Sequence, residues 1–247
     1  MKTKAKWDLS SAALHVLAMA LMLCDHLWGT VVPGNDWLTC LGRLAFPIFA
    51  FLLVEGYFHT KSLKKYIRRL LIFALLSEIP FNLAMGARLL YPLHQNVLWS
   101  FLISLALIHW NERAKAKGGL LRRSLSAAAT VVLAYVLGLL SMVDYYHAGI
   151  LLTLVFYFFR GRSWRCFLAQ LLCSAYIHRE VLGGYLYEFA LGAHTFSFAR
   201  QSFALLALIP IWLYRGRQGT NSKAFRWVCY AFYPLHLLLL GLIRILA

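Results

Sequence analysis

No CxxC pair, no HExxH or HxxxH, and no GxGxxG, P-loop or GxSxG occurs in this chain of 247 residues. Metal binding is disfavoured by the missing ligand spacings, and no nucleotide-binding domain is folded into the chain. The period-two alternation of a β-barrel is missing too. No small-residue cleavage pattern follows the basic segment Met1 to Lys6, so the apolar run after it reads as a retained span. Acidic residues are scarce: nine Asp and Glu face 25 Lys and Arg, a net charge of +16. Such a balance can mark a nucleic-acid binder. Here the basic residues gather in every second connection between apolar runs, which is the orientation signal of a membrane protein, and nucleic acid is not expected.

Apolar residues make up 61% of the chain, with a mean hydropathy of +0.66. That is far above a soluble domain's share. The expectation is a single all-α domain over 1–247: a polytopic transmembrane bundle with its N-terminus in the cytoplasm. Nine spans can be read, about 9–32, 38–58, 67–86, 96–111, 124–142, 146–160, 164–178, 198–214 and 227–246; loose boundaries allow eight to eleven. Lys2, Lys4 and Lys6 precede the first span, and Lys61, Lys64, Lys65, Arg68 and Arg69 follow the second. Later basic connections hold Arg113 to Arg123, Arg160 to Arg165, and Arg215 to Arg226. Residues 178–197 read as an outer loop or a short re-entrant helix. The five scattered cysteines read as free thiols, with a Cys24–Cys40 disulfide as the alternative.

Ionisable residues inside a bilayer are costly, and each is by default a functional-site hypothesis. Asp25 and His26 lie in the outer half of the first span. They are adjacent, so they diverge by about 100° on a helix and do not face one another. His26 shares a face with His15, Met22 and Gly29, a face expected to line a cavity. The alternative is a histidine bonded to a neighbouring helix for packing alone. Arg43 opens the second span four residues before Pro47, whose ring removes a helical hydrogen bond. The short connection Pro33 to Asp36 makes the first two spans an antiparallel hairpin, so Asp25, His26 and Arg43 can share one site. Arg43 then either binds a carboxylate, phosphate or oxyanion, or pairs with Asp25, or does both. Glu78, with Pro80 and Asn82 beyond it, and His236, after Pro234, lie nearer mid-membrane. The cations Lys64, Lys65, Arg68 and Arg69 can hold a phosphorylated cofactor, although the topology rule explains them without one.

Taken in order, Asp25-His26, Gly42-Arg43-Leu44-Ala45-Phe46-Pro47-Ile48-Phe49, Tyr66-Ile67-Arg68-Arg69-Leu70, Ile79-Pro80-Phe81-Asn82, Pro210-Ile211-Trp212-Leu213-Tyr214 and Tyr233-Pro234-Leu235-His236 resemble the TraX family. The resemblance runs nearly the whole chain. It implies relatives of an inner-membrane protein that N-acetylates the amino terminus of conjugative pilin. The family is in turn distantly similar to acyltransferase family 3. The implied function is transfer of acetyl from cytoplasmic acetyl-CoA to an amine or hydroxyl on an outward-facing protein or glycan. The implied roles are His26 as general base or acyl carrier, Asp25 orienting the site and Arg43 positioning the carbonyl or acceptor. Lys64, Lys65, Arg68, Arg69 and Arg217 would contact CoA phosphates, with Glu78, Asn82 and His236 as further inner-site residues. Apart from the CoA thioester and its acceptor, the expected surroundings are the lipid bilayer of the bacterial inner membrane, with pairing of two copies left open. CoA cannot cross a bilayer, so the fold must provide a channel for the pantetheine arm. The rivals are a proton- or ion-coupled transporter using Asp25, Glu78 and His236, and a non-catalytic assembly factor.

Overall fold

The computed structural model describes residues 8–192 and 194–246. Lys2, Lys4 and Lys6, used above for orientation, lie outside the described residues. Helices begin where a polar side chain meets an apolar run and can satisfy the free N–H groups of a first turn. Ser10 caps α1 (Ser11–Thr30) by accepting from the Ala13 amide at 3.1 Å, and Ser62 caps α4 (Leu63–Gly86) in the same way. Between them lie α2 (Asp36–Gly42) and α3 (Ala45–His59). The second apolar run is therefore two helices broken at Arg43-Leu44. Pro47 falls in the first turn of α3, where its missing N–H costs nothing.

Asn96 caps α5 (Val97–Ala116), which is followed by α6 (Leu120–Leu140) and α7 (Tyr146–Phe158). Next come α8 (Trp164–Tyr176), a π turn over Ile177–Val181 and a two-stranded antiparallel hairpin, β1 (Leu186–Leu191) and β2 (His194–Ala199). A 3₁₀ stretch, Arg200–Ala207, runs into α9 (Leu208–Leu213), and α10 (Lys223–Leu246) ends the described chain. The hairpin corrects the all-α reading: residues 178–197 hold neither a plain loop nor a re-entrant helix. Alternating Tyr187, Phe189 and Leu191 against Glu188 and Ala190 is a strand pattern, and Gly192 supplies the positive φ of +62° needed at the tip.

Among the described residues, five segments are long and apolar enough to cross a membrane: Ser11–Thr30, Asp36–His59, Leu63–Gly86, Leu120–Leu140 and Lys223–Leu246. The count of nine is not reproduced, for physical reasons. Helices α7 and α8 have 13 residues each, about 20 Å of rise against a hydrocarbon layer of ~30 Å. The last turns of α5 carry Glu112, Arg113 and Lys115.

The central element is α3, packed on α1, α5 and α7 with Ile48 and Ala50 wholly buried. Along one flank α10 lies against α4. There Gly241 lets the backbones close, since a Cβ would stand 3.0 Å from the Ala84 amide nitrogen. Arg244 then donates to the Ala84 and Met85 carbonyls at 2.6 and 3.1 Å, satisfying the end of α4. All five cysteines are free thiols.

Candidate functional site

A chamber of about 420 Å³ opens between α1, α2, α3, the ends of α4 and α5, α10 and the segments that flank α7 and the hairpin. Asp25, His26 and Arg43 all line it. The α1–α2 turn brings Asp25 and Arg43 together: Nη2 of Arg43 donates to Oδ1 of Asp25 at 2.7 Å. Thr39, one turn before Arg43 on α2, donates to the same oxygen at 2.7 Å and accepts from Arg43 Nε and Nη2 at 3.2 and 2.8 Å. Arg43 Nη1 reaches Gln201 at 3.3 Å, and Gln201 Nε2 lies 3.4 Å from His178 Nδ1. Four of the five guanidinium hydrogens are thus used, and one on Nη1 remains among the described residues. Gly42 permits this closeness, because a Cβ there would stand 2.3 Å from Asp25 Cβ.

His26 is not packed against Asp25. Its Nδ1 lies 2.6 Å from Nε2 of His236, with the two rings nearly parallel at 8°. The proton positions follow from the partners. Nδ1 of His236 is 2.6 Å from the Phe232 carbonyl, which only accepts, so His236 Nδ1 carries hydrogen. In a neutral ring Nε2 is then a lone pair, and it accepts from His26 Nδ1–H. His26 Nε2 is left as a lone pair with no protein partner among the described residues. That assignment rests on the hydrogen-bond network.

Two lining residues stand out beyond the site residues proposed from the sequence. Asp144 holds His94 at 3.4 Å and is fixed by the Tyr145 amide at 3.1 Å. The hydrogen bond to Asp144 raises the His94 pKa above its usual value, against partial burial. Tyr145 and Tyr146 follow at φ of +61° and +45°, an uncommon conformation for non-glycine residues and one that gathers at functional sites. Their signal in the sequence is faint, since Asp144 and His94 sit in connections rather than in apolar runs.

Two further cavities adjoin the chamber along α1. A narrower apolar cavity of about 210 Å³ shares Met22, Phe49, Val97, Phe101 and Tyr233 with it. That cavity in turn shares His15, Leu52, Tyr66, Arg226 and Tyr230 with an open vestibule of about 790 Å³ at the basic end of the bundle. His15, Met22, His26 and Gly29, one face of α1, mark the whole line. The eleven steps from His15 to His26 rise about 16 Å.

The other residues named from the sequence are dispersed. Lys65 and Arg69 line the vestibule with Lys61 and Arg226, whereas Lys64 and Arg68 lie outside its lining. Arg217 is paired with Asp8 at 3.3 Å and is not in the lining, although Gly216 and Gln218 are. Glu78 accepts from Asn96 and from Trp99 Nε1, the latter at 3.1 Å, away from the chamber lining. Asn82 is buried in α4. Among the described residues no group of three or more His, Cys, Asp or Glu is placed to hold a metal ion.

Apolar helices around a chamber that holds Asp25, His26 and Arg43, with an apolar cavity beside it, define a helical membrane protein with a candidate reaction or binding site. A sequence profile of the family described as TraX protein matches residues 10–244, and the chain belongs to that family. It is also similar to the probable fimbrial assembly protein FimC, serogroup H1, of Dichelobacter nodosus, with 28% identity across 94% of this chain and 95% of the relative. No solved structure matches.

Proposed function

We propose that the protein is a membrane-embedded acetyltransferase with acetyl-CoA as donor. The observation that carries this reading is the line of three cavities from the basic vestibule to His26. The CoA nucleotide would sit in the vestibule, where Lys61, Lys65, Arg69 and Arg226 supply cations for its phosphates. Its arm would thread the apolar passage. That arm is three linked units, each somewhat longer than an amino-acid residue's ~3.5 Å, so its reach is of the same order as the His15–His26 rise. The thioester would then lie in the chamber.

His26 Nε2 takes the proton from the acceptor nitrogen or oxygen as that atom attacks the thioester carbon. The carbon–sulfur bond breaks, and the proton passes to the departing thiolate, giving the acetylated acceptor and free CoA. His236 holds the His26 ring in the tautomer this requires. The spare Nη1 hydrogen of Arg43 faces the developing oxyanion. Under the positive-inside rule the vestibule is cytoplasmic and the acceptor arrives from the far side of the inner membrane. The description of the relative as a fimbrial assembly protein makes a fibre subunit the acceptor to try first. Asp25, Glu78 and His236 belong to three separate hydrogen-bonded groups, so no relay of these residues supports a transporter.

The test uses purified protein in lipid nanodiscs with labelled acetyl-CoA. Met22 lies where the passage meets the chamber. Met22→Trp should leave CoA binding intact by calorimetry while abolishing acetyl transfer or hydrolysis. No CoA binding by the parent protein would sink the reading, and full turnover in Met22→Trp would reject the passage.

A further inference from the structure

The β1–β2 hairpin is amphipathic, and the outer part of its apolar side is left uncovered among the described residues. Its register pairs Tyr187 with Phe198, Phe189 with Phe196, and Leu191 with His194. Because side chains alternate, these six share one face. The other face carries Glu188, Ala190, Thr195 and Ser197 beyond the Leu186–Ala199 pair. At the base of the apolar face, Tyr187 meets Cys40 of α2 at 3.5 Å and Phe198 packs on Phe203. Toward the tip the same face projects free: Phe189 is 59% exposed, Leu191 75% and Phe196 57%.

We propose that this face seats in the lipid interface of the leaflet opposite the basic loops, as an amphipathic anchor beside the chamber mouth. Three features select lipid over a protein partner. The face meets α2 at Cys40, and Trp37 and Leu41 of that short helix are also exposed and apolar, near the boundary where α1 turns into α2. Aromatic rings gather at that level, with Arg200 lying over Trp28 and Tyr185 at 4.7 and 5.3 Å, as in an interfacial aromatic belt. The exposed patch is also small. Even with Trp37 and Leu41 included, Phe189, Leu191, Phe196 and Phe198 leave roughly 650 Å² uncovered, taking ~200 Å² per side chain, against ~800 Å² on each side of a stable protein interface.

The consequence reaches the site. Leu182, Gly183, Gly184 and Tyr185 before the hairpin, and Arg200 and Gln201 after it, all line the chamber. An anchored hairpin therefore ties one chamber wall to the bilayer. This inference rests on the membrane reading and not on acetyl transfer.

The experiment introduces p-benzoylphenylalanine in place of Phe189, Phe196, Glu188 or Ser197 in the full chain and irradiates native membranes. Phospholipid adducts should form from positions 189 and 196 and be several-fold fewer from 188 and 197. Protein adducts from 189 and 196 would overturn the proposal in favour of a partner protein or a second copy. Equal lipid adducts from both faces, or none from either, would overturn it as well. Hydroxyl-radical footprinting of the unmodified protein in nanodiscs covers the case of a variant that does not fold. Phe189 and Phe196 should be protected there, and oxidation at the rate of a water-exposed phenylalanine would reject the anchor.

Discussion

His26 and His236, 210 residues apart in the chain, are joined by a 2.6 Å bond from Nδ1 to Nε2. The Phe232 carbonyl fixes the proton on the far side of His236, so the pair has one direction. Of the two rings, His26 is the one that lines the chamber with a free lone pair. His26→Ala should therefore lower acetyl transfer by ~10²–10⁴-fold, the usual cost of a lost general base. His236→Ala removes the partner that holds the tautomer, and should reduce turnover by a smaller factor while leaving the donor KM nearly unchanged. Steady-state kinetics on both variants decide this. If His26→Ala turns over like the parent, the pair is a packing device.

Gly42 concerns stability rather than chemistry. A methyl at that position would stand 2.3 Å from Asp25 Cβ and 2.7 Å from its Cα, so α1 and α2 would have to separate. Gly42→Ala should cost ~1–3 kcal/mol, as overpacking usually does, and should loosen the Asp25–Arg43 pair. Thermal unfolding in detergent measures it against Gly29→Ala, where nothing lies within 4 Å. Equal melting temperatures for the two variants would contradict the packing argument.

The His94–Asp144 pair predicts a pH dependence with a definite sign. Its hydrogen bond raises the His94 pKa above 6.5, with partial burial opposing. A raised folded value means that the pair's stabilisation is complete below the unfolded pKa. It is lost as pH rises through the folded one. Asp144→Asn should thus destabilise the protein in mild acid and have less effect at alkaline pH. Histidine-selective NMR titration should show the His94 midpoint falling in that variant. A midpoint that does not move would mean that Asp144 leaves the ring's charge unaffected.

The helices were legible because membrane burial demands continuous apolar runs, and each observed helix lies close to one of them. Asp25 and Arg43 could be brought together because the Pro33 to Asp36 connection is too short for any arrangement but a hairpin. His236 could be given a depth but no neighbour. Lateral position depends on which helices pack, and α1 meeting α10 has no local signature. Thr39, Gln201 and His178 were overlooked for the same reason, as ordinary polar residues until the fold aligns them with Arg43. The hairpin was legible in principle from the alternation of Tyr187, Phe189 and Leu191, but so short an apolar stretch between two spans reads equally as an outer loop or a re-entrant helix.

The basic loop divides into residues that face the vestibule and residues that do not, which makes the donor site testable residue by residue. Lys61, Lys65 and Arg69 line it, and Arg69 is steadied by a 3.3 Å bond from Nε to the Tyr230 hydroxyl. Lys64 and Arg68, on the same helical turns, lie outside the lining. If charge alone set topology, all five would behave alike. If the vestibule holds CoA, Lys65→Gln and Arg69→Gln should each weaken CoA binding by about one to two orders of magnitude, since a charge-assisted contact contributes roughly 1.5–3 kcal/mol. Lys64→Gln and Arg68→Gln should change it little. Calorimetry with CoA and with dephospho-CoA then locates the contacts: a cation on the 3′-phosphate loses its effect when that phosphate is missing. Uniform behaviour of all four variants toward both ligands would show that these charges serve orientation only, and the donor site would have to be moved out of the vestibule.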